Sequence, residues 1–266
     1  MRHDDIVGGG VEQEPPQDPA VLGADQLHAR NRPQLPSVIA SGGIITEHQR
    51  LRHSQIVTRM ATFLANVGVN AGHAARSPLF ADGSFLLLPI PERAGWAPPM
   101  LRLRDLPHLT AHAPSLWLDR AVHLDPDLAG PFPTYGDNPR TAGRAYSLRR
   151  MVRGDRIVFL ARLWNGRPGF YLVGELAVIE IAADLNADPG PGWWDGNAHV
   201  RRARATGRWD SFWVFRGDPA RSRLYPTARP FRRLEAEAAF GPWRWPVDRS
   251  ELQTIGSHTR AVRRLP

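Results

Sequence analysis

The chain has 266 residues and no cysteine, and its 34 basic side chains, all of them arginine, outnumber 26 acidic ones for a net charge of +8. The absence of cysteine excludes disulfides, thiolate zinc centres, iron–sulfur clusters and a cysteine nucleophile. The longest apolar runs, such as Phe85 to Leu88, are far shorter than the roughly 20 residues of a membrane helix, and the opening MRHDDIVGGG lacks the apolar stretch of a signal peptide. A cytoplasmic protein with no membrane partner is therefore expected.

Residues 1–59 hold no Phe, Trp or Tyr; the nine Trp, four Tyr and ten Phe all lie beyond them. The segment also carries Pro15, Pro16, Pro19, Pro33, Pro36 and the run Gly8 to Gly10. Such a composition cannot bury enough apolar surface to offset chain entropy. Residues 1–59 are expected to be disordered, or to be untranslated with Met60 as the true start. Residues 60–266 are then expected to form a single domain.

Thr62 to Val67 reads as a strand, leading into a polar, Gly-rich loop. Ser84 to Leu88 reads as a second strand, closed by a Pro89-Ile90-Pro91 turn. Pro98 to Ala113 is broken by prolines and reads as irregular with a helical turn. Trp117 to Leu124 contains a strand signal, and Asp125 to Pro139 reads as loop. Thr141 to Met151 reads as a helix capped by Thr141. Arg156 to Leu163 is an apolar strand, Asn165-Gly166 a tight hairpin signal, and Gly169 to Ile181 the returning strand. Asn197 to Thr206 reads as a short basic helix. Ser211 to Arg216 and Arg223 to Tyr225 read as a further hairpin around Gly217-Asp218-Pro219, and helical patterns follow at Leu234 to Phe240 and Ser250 to Arg264. The sum is an α+β fold built round a curved mixed sheet or a small β-barrel with flanking helices.

No P-loop, dinucleotide fingerprint, nucleophile elbow or HExxH motif is present, and no motif indicates a cofactor. The densest polar cluster is His123-Leu124-Asp125-Pro126-Asp127. If extended, His123, Asp125 and Asp127 share one face, where they suit proton transfer or a cation. The same aspartates also suit a turn, accepting backbone N–H groups. The spacing assigns no metal. Tyr135 and Asp137 follow; a tyrosine stacks on a base and a carboxylate accepts from an exocyclic amine. Asn66, Asn70, His73 and Ser77 are candidate substrate contacts, since amides offer a donor and an acceptor, though such residues also cap turns.

Charge is uneven. Residues 60–200 hold 13 arginines and 13 acidic residues, whereas residues 201–266 hold 15 arginines and six acidic residues. Arg201, Arg202, Arg204, Arg208, Arg216, Arg221 and Arg223 form a basic patch with Trp209, Trp213 and Phe215 among them. The arginines suit phosphate contacts or a solvated face, and the tryptophans are expected in the core.

Several segments in a fixed order carry a family resemblance: Ser77-Pro78-Leu79-Phe80-Ala81-Asp82-Gly83-Ser84, then Pro89-Ile90-Pro91, His123 to Asp127, Tyr135-Gly136-Asp137 and Gly154-Asp155. From about Met60 to at least Arg232 the chain resembles the nucleotide-modification-associated domain, type 3, of bacteria and phages. The resemblance implies a role in DNA base modification or modified-DNA systems. It makes Asp125, Asp127 and Asp137 candidate active-site residues, with His123 and Tyr135 beside them. Arg153 to Phe159 and Tyr171 to Leu176 also resemble the strands of PUA-like domains, including the EVE type, small barrels that bind RNA or flipped modified bases.

Three functions are weighed from these features. One is an enzyme or accessory factor acting on a nucleobase, with carboxylates for proton transfer and arginines for phosphate. A second is a non-catalytic reader of modified nucleic acid on a PUA-like barrel. A structural protein with an incidentally basic tail is a third. The partner in the first two is a nucleic acid or nucleotide; no cofactor or protein partner is indicated.

Overall fold

The structure is a computed structural model and describes residues 60–242 and 245–266. The chain divides into two units, Met1–Gln55 and Ile56–Pro266, and the described residues belong to the second. The expectation for residues 1–59 lies outside them. Among the described residues no helix is long and apolar enough to cross a membrane.

In chain order the elements are β1 (Thr62–Val67), β2 (Ser77–Pro78), β3 (Ile90–Pro91), β4 (Leu101–Arg102), α1 (Pro107–Thr110), β5 (Ala121–His123), β6 (Thr134–Asp137), a 3-10 helix (Gly143–Arg150), β7 (Arg156–Asn165), β8 (Arg167–Leu185), α2 (Ala198–Thr206), β9 (Phe212–Gly217), β10 (Arg223–Pro230), α3 (Arg233–Phe240), α4 (Glu251–His258) and β11 (Arg263–Arg264). The β7–β8 hairpin is the spine. Its register closes at Asn165↔Arg167 around Gly166, whose φ of +66° suits a glycine. β8 is 19 residues long, and register shifts after Val178 and Ala182 mark bulges that bend it.

β7 carries β1 and then β2, both parallel, end to end along one edge. β8 carries β9 and β10 end to end along its own outer edge, both antiparallel. The eight-stranded sheet runs β11-β1-β7-β8-β9-β6, and a separate three-stranded sheet runs β3-β5-β4.

Both faces of the large sheet are buried. Phe63, Ala65, Ile157, Phe159, Ala161 and Leu163 point one way, with Ala145 and Leu148 of the 3-10 helix packed on them. Leu64, Val158 and Leu160 point the other way, toward Ala236 of α3 and Ile255 of α4. This alternation follows from the period of two in a strand, and two covered faces explain the nearly continuous apolar run of β7. Truncating fully buried Phe159 to Ala costs about 3–5 kcal/mol on this basis. The small sheet has its own core of Val69, Leu88, Leu103, Leu109, Trp117 and Val122.

Five expectations are corrected. The sheet does not close: its end strands β11 and β6 do not pair among the described residues, so no PUA-like barrel forms. Ser84 to Leu88 makes only an isolated bridge, Leu79↔Phe85, while the expected turn at Pro89 to Pro91 supplies β3. Asp125 to Pro139 contains β6, hidden in sequence by its flanking prolines. β9 and β10 do not pair as a hairpin, because both reach a free edge of the long β8. The segment 141–151 forms a 3-10 helix and not an α-helix, with Ala142 as its N-cap. Ala145, Leu148 and Met151 are all buried at a spacing of three, which is the repeat of that helix.

Candidate functional site

His123, Asp125 and His199 meet where β5, the segment after it, β6 and α2 come together. Pairing of β3 with β5 sets Ile90 opposite His123, and Glu92 just beyond reaches the ring: Glu92 Oε1 lies 2.7 Å from His123 Nδ1. The N-cap of α2 is Asn197, whose side chain accepts from the backbone N–H of His199 (3.0 Å) and donates to Thr134 Oγ1 (3.2 Å). One amide thus caps the helix and ties it to β6, which fixes His199 in the first turn.

The Nε2 atoms of His123 and His199 stand 3.2 Å apart. Asp125 Oδ2 lies 3.6 Å from the first and 3.5 Å from the second. The Gly136 N–H donates to both oxygens of this carboxylate, at 3.1 and 2.9 Å. A side chain at 136 would place its Cβ 2.5 Å from His199 Cδ2 and 2.8 Å from Asn197 Oδ1, so only glycine allows this approach. The His199 ring also stacks on Phe212, at 5.4 Å between centroids.

Burial opposes charge on His123, but the Asp125 and Glu92 carboxylates outweigh it and hold its pKa at about 9. Burial likewise opposes ionisation of Asp125 and Glu92, and the neighbouring histidines outweigh it, so both carboxyls sit below their ordinary range. Asp127 differs: burial dominates and raises its pKa, against the pull of Arg201. Its Oδ1 accepts from Ala129 N at 3.4 Å. Glu92, His123, Asp125 and His199 thus form one largely buried polar cluster, with Asp127 just beyond it in sequence.

Tyr135 and Asp137 fall on the opposite face of β6, as alternation along a strand requires. Tyr135 packs against Phe159 in the main core, and its hydroxyl donates to Asp137 Oδ2 at 3.0 Å. Burial raises the tyrosine well above its ordinary pKa, and the Asp137 charge adds to this. Asp137 Oδ1 accepts from Asn138 N (2.8 Å) and Arg144 Nη2 (3.0 Å). The five residues expected in one pocket therefore form two groups, separated by the strand that carries the second.

Buried Ser77 accepts from Leu88 N (3.1 Å) through its hydroxyl. Asn70 Oδ1 accepts from Gly72 N (2.9 Å), and Asn70 N donates to His73 Nδ1 (3.0 Å) in a local turn. Asn66 is half-buried in β1. Among the described residues no hydrogen bond or ion pair joins these four to the histidine–aspartate cluster. A cleft of about 600 Å³ also lies elsewhere, between the β7–β8 turn, Phe231 and α4.

Residues 62–263 match the family model described as Nucleotide modification associated domain 3. The chain belongs to this family. Membership ties it to nucleotide modification, in accord with the resemblance carried by its motifs. No curated protein and no solved structure shows a significant match.

Within the matched span of this Nucleotide modification associated domain 3 chain, Gly154-Asp155 holds the framework. Gly154 takes a φ of +97°, and buried Asp155 accepts from Ala61 N (2.8 Å) and Val152 N (2.9 Å). The basic patch is largely neutralised. Arg202 pairs with Asp210 (3.3 Å), Arg204 with Asp188 (3.2 Å) and Asp195 (3.0 Å), Arg216 with Glu180 (3.0 Å), and Arg221 with Asp218 (2.7 Å). Arg201, Arg208 and Arg223 have no acidic partner within ion-pair distance among the described residues. Arg201 and Arg202 follow His199 on α2, and their charges reach Asp127 and Glu92 respectively. Trp209 and Trp213 pack against core residues, as expected.

Sequence reasoning missed Glu92 and His199. Glu92 had a usable signal, since it directly follows the Pro89-Ile90-Pro91 motif. His199 had none beyond its place after an N-cap asparagine.

Proposed function

We propose that this protein acts on a nucleotide, free or within DNA, at the cluster of His123, Asp125 and His199, with Asp127 beside it. Arg201 is the first phosphate contact and unpaired Arg223 a further cation, while Arg202, Arg204, Arg216 and Arg221, already paired with acidic side chains, contribute less. The observation that carries this is the convergence of two imidazoles and a carboxylate on one point, beside an unpaired arginine, in a nucleotide-modification family. Buried groups in hydrogen-bonding reach of one another are suited to moving a proton to or from a base nitrogen. A guanidinium at the rim suits a phosphate, which it meets with two parallel N–H bonds. Tyr135 and Asp137 act in this scheme as positioning residues, holding β6 so that Gly136 can present its N–H to Asp125. A cytoplasmic location accords with such a partner.

The test is binding and turnover in parallel. Nucleotides and short DNA duplexes are titrated with the full chain at two salt concentrations, and products are followed by mass spectrometry. Asp125→Asn is expected to abolish turnover and keep most binding, because phosphate contacts dominate affinity. Arg201→Ala is expected to weaken binding. No binding of any nucleotide or DNA at low salt overturns the proposal. Binding that discriminates between bases without turnover turns it into the reader.

A further inference from the structure

The triangle of His123 Nε2, His199 Nε2 and Asp125 Oδ2 has sides of 3.2, 3.5 and 3.6 Å. The two longer sides lie at or beyond the limit of a hydrogen bond, so the buried carboxylate oxygen faces both imidazoles without a good bond to either. The same spacing has a simple meaning for ligands round one ion. A point about 2.1 Å from all three atoms lies about 0.7 Å out of the plane of the triangle, at the length of a zinc bond to imidazole or carboxylate. Two ligands of a tetrahedral ion with such bonds stand about 3.4 Å apart, and two on adjacent octahedral positions about 3.0 Å apart. The observed sides fit the tetrahedral case.

Two further observations point the same way. The His199 side chain is 10% exposed, and Nε2 is the ring nitrogen that it turns toward His123 and Asp125, while its Nδ1 has no hydrogen-bond partner. Glu92 at 2.7 Å from His123 Nδ1, and the Gly136 N–H on Asp125, are the outer contacts that orient metal ligands. Two imidazoles with one carboxylate form a borderline donor set, which suits first-row transition cations and not magnesium or calcium.

The geometry points to a zinc-type divalent cation site made by His123, Asp125 and His199, with a fourth position open to water or a substrate atom. It rests on the reading of this cluster as the functional site, and three protein ligands with one open position are the arrangement of catalytic zinc. A water on such an ion ionises near neutral pH and becomes a nucleophile.

The experiment uses the full chain, stripped with a chelator and titrated with Co²⁺ and Zn²⁺ in the absence of nucleotide. One equivalent of Co²⁺ per chain is expected, with the intense visible absorption of a four- or five-coordinate ion, displaced by Zn²⁺. His199→Ala and Asp125→Asn are expected to weaken binding more than tenfold, and Glu92→Gln at least tenfold. His108→Ala, an exposed histidine, is expected to bind like the parent. Far-UV circular dichroism confirms folding of each variant, and the parent titration stands even where a variant unfolds. No stoichiometric Co²⁺ binding by the parent, or undiminished binding by folded His199→Ala, overturns the site. Metal bound without any nucleotide binding upholds the site and sinks the nucleotide reading. Nucleotide turnover by a chain that takes up no metal does the reverse.

Discussion

His123 and His199 stand 76 residues apart in sequence, and their Nε2 atoms are 3.2 Å apart in space. The contact exists only when α2 docks on β5 and β6, and Asn197 is the residue that docks it. Asn197→Ala removes the helix cap and the link to Thr134 together. We expect a loss of about 1–2 kcal/mol of stability, read by thermal unfolding, and a larger proportional loss of function. Asn197→Asp keeps the cap acceptor and loses the donor to Thr134, so an intermediate effect is expected. Equal effects of the two variants would contradict this division of roles.

Gly136→Ala adds a methyl group 2.5 Å from His199 Cδ2. The ring must shift, and the spacing of all three donors shifts with it. Stability is expected to fall by about 1–3 kcal/mol, as in other overpacked sites, while nucleotide turnover is abolished. Full turnover in this variant would show that His199 is not held where the chemistry occurs.

Asp155→Asn tests the opposite kind of residue. Its carboxylate accepts two backbone N–H groups that join the start of β1 to the turn before β7. The amide replaces one acceptor by a donor, leaving a buried N–H without a partner. A loss of about 1–3 kcal/mol is expected in urea denaturation, with nucleotide affinity unchanged. Lost affinity at unchanged stability would move Asp155 into the site.

Arg201 and Arg204 share a helix but differ in partners. Arg201→Ala is expected to lower DNA affinity at every sequence and to reduce the salt slope by about 1. Arg204, already held by Asp188 and Asp195, is expected to change the slope little. Identical slopes for both variants would show that the acidic partners do not matter.

The legible parts of the fold were those governed by local rules. The β7–β8 hairpin was readable from apolar runs flanking Asn165-Gly166, and α2 from its basic face after Asn197. β6 was not readable, because Pro131, Pro133, Gly136 and Asp137 each favour a turn, and only pairing with β9 makes Thr134 to Asp137 a strand. The mistaken β9–β10 hairpin has the same cause: the Gly217-Asp218-Pro219 sequence allows a reversal, but the open edge of β8 draws both strands into line. His123 and Asp125 stood out by density of polar groups. His199 joins them through tertiary packing alone, and the face that Tyr135 presents depended on a strand that the sequence concealed.

The pairing of β1 with β11 sets Phe63 opposite Arg264 and Leu64 opposite Arg263. The outer edge of β1 is thus covered by a strand about 200 residues further along the chain. Until that strand docks, β1 offers a row of free backbone donors and acceptors to any passing strand. Docking of β11, and not merely formation of the core, is the step that makes this edge safe from its neighbours.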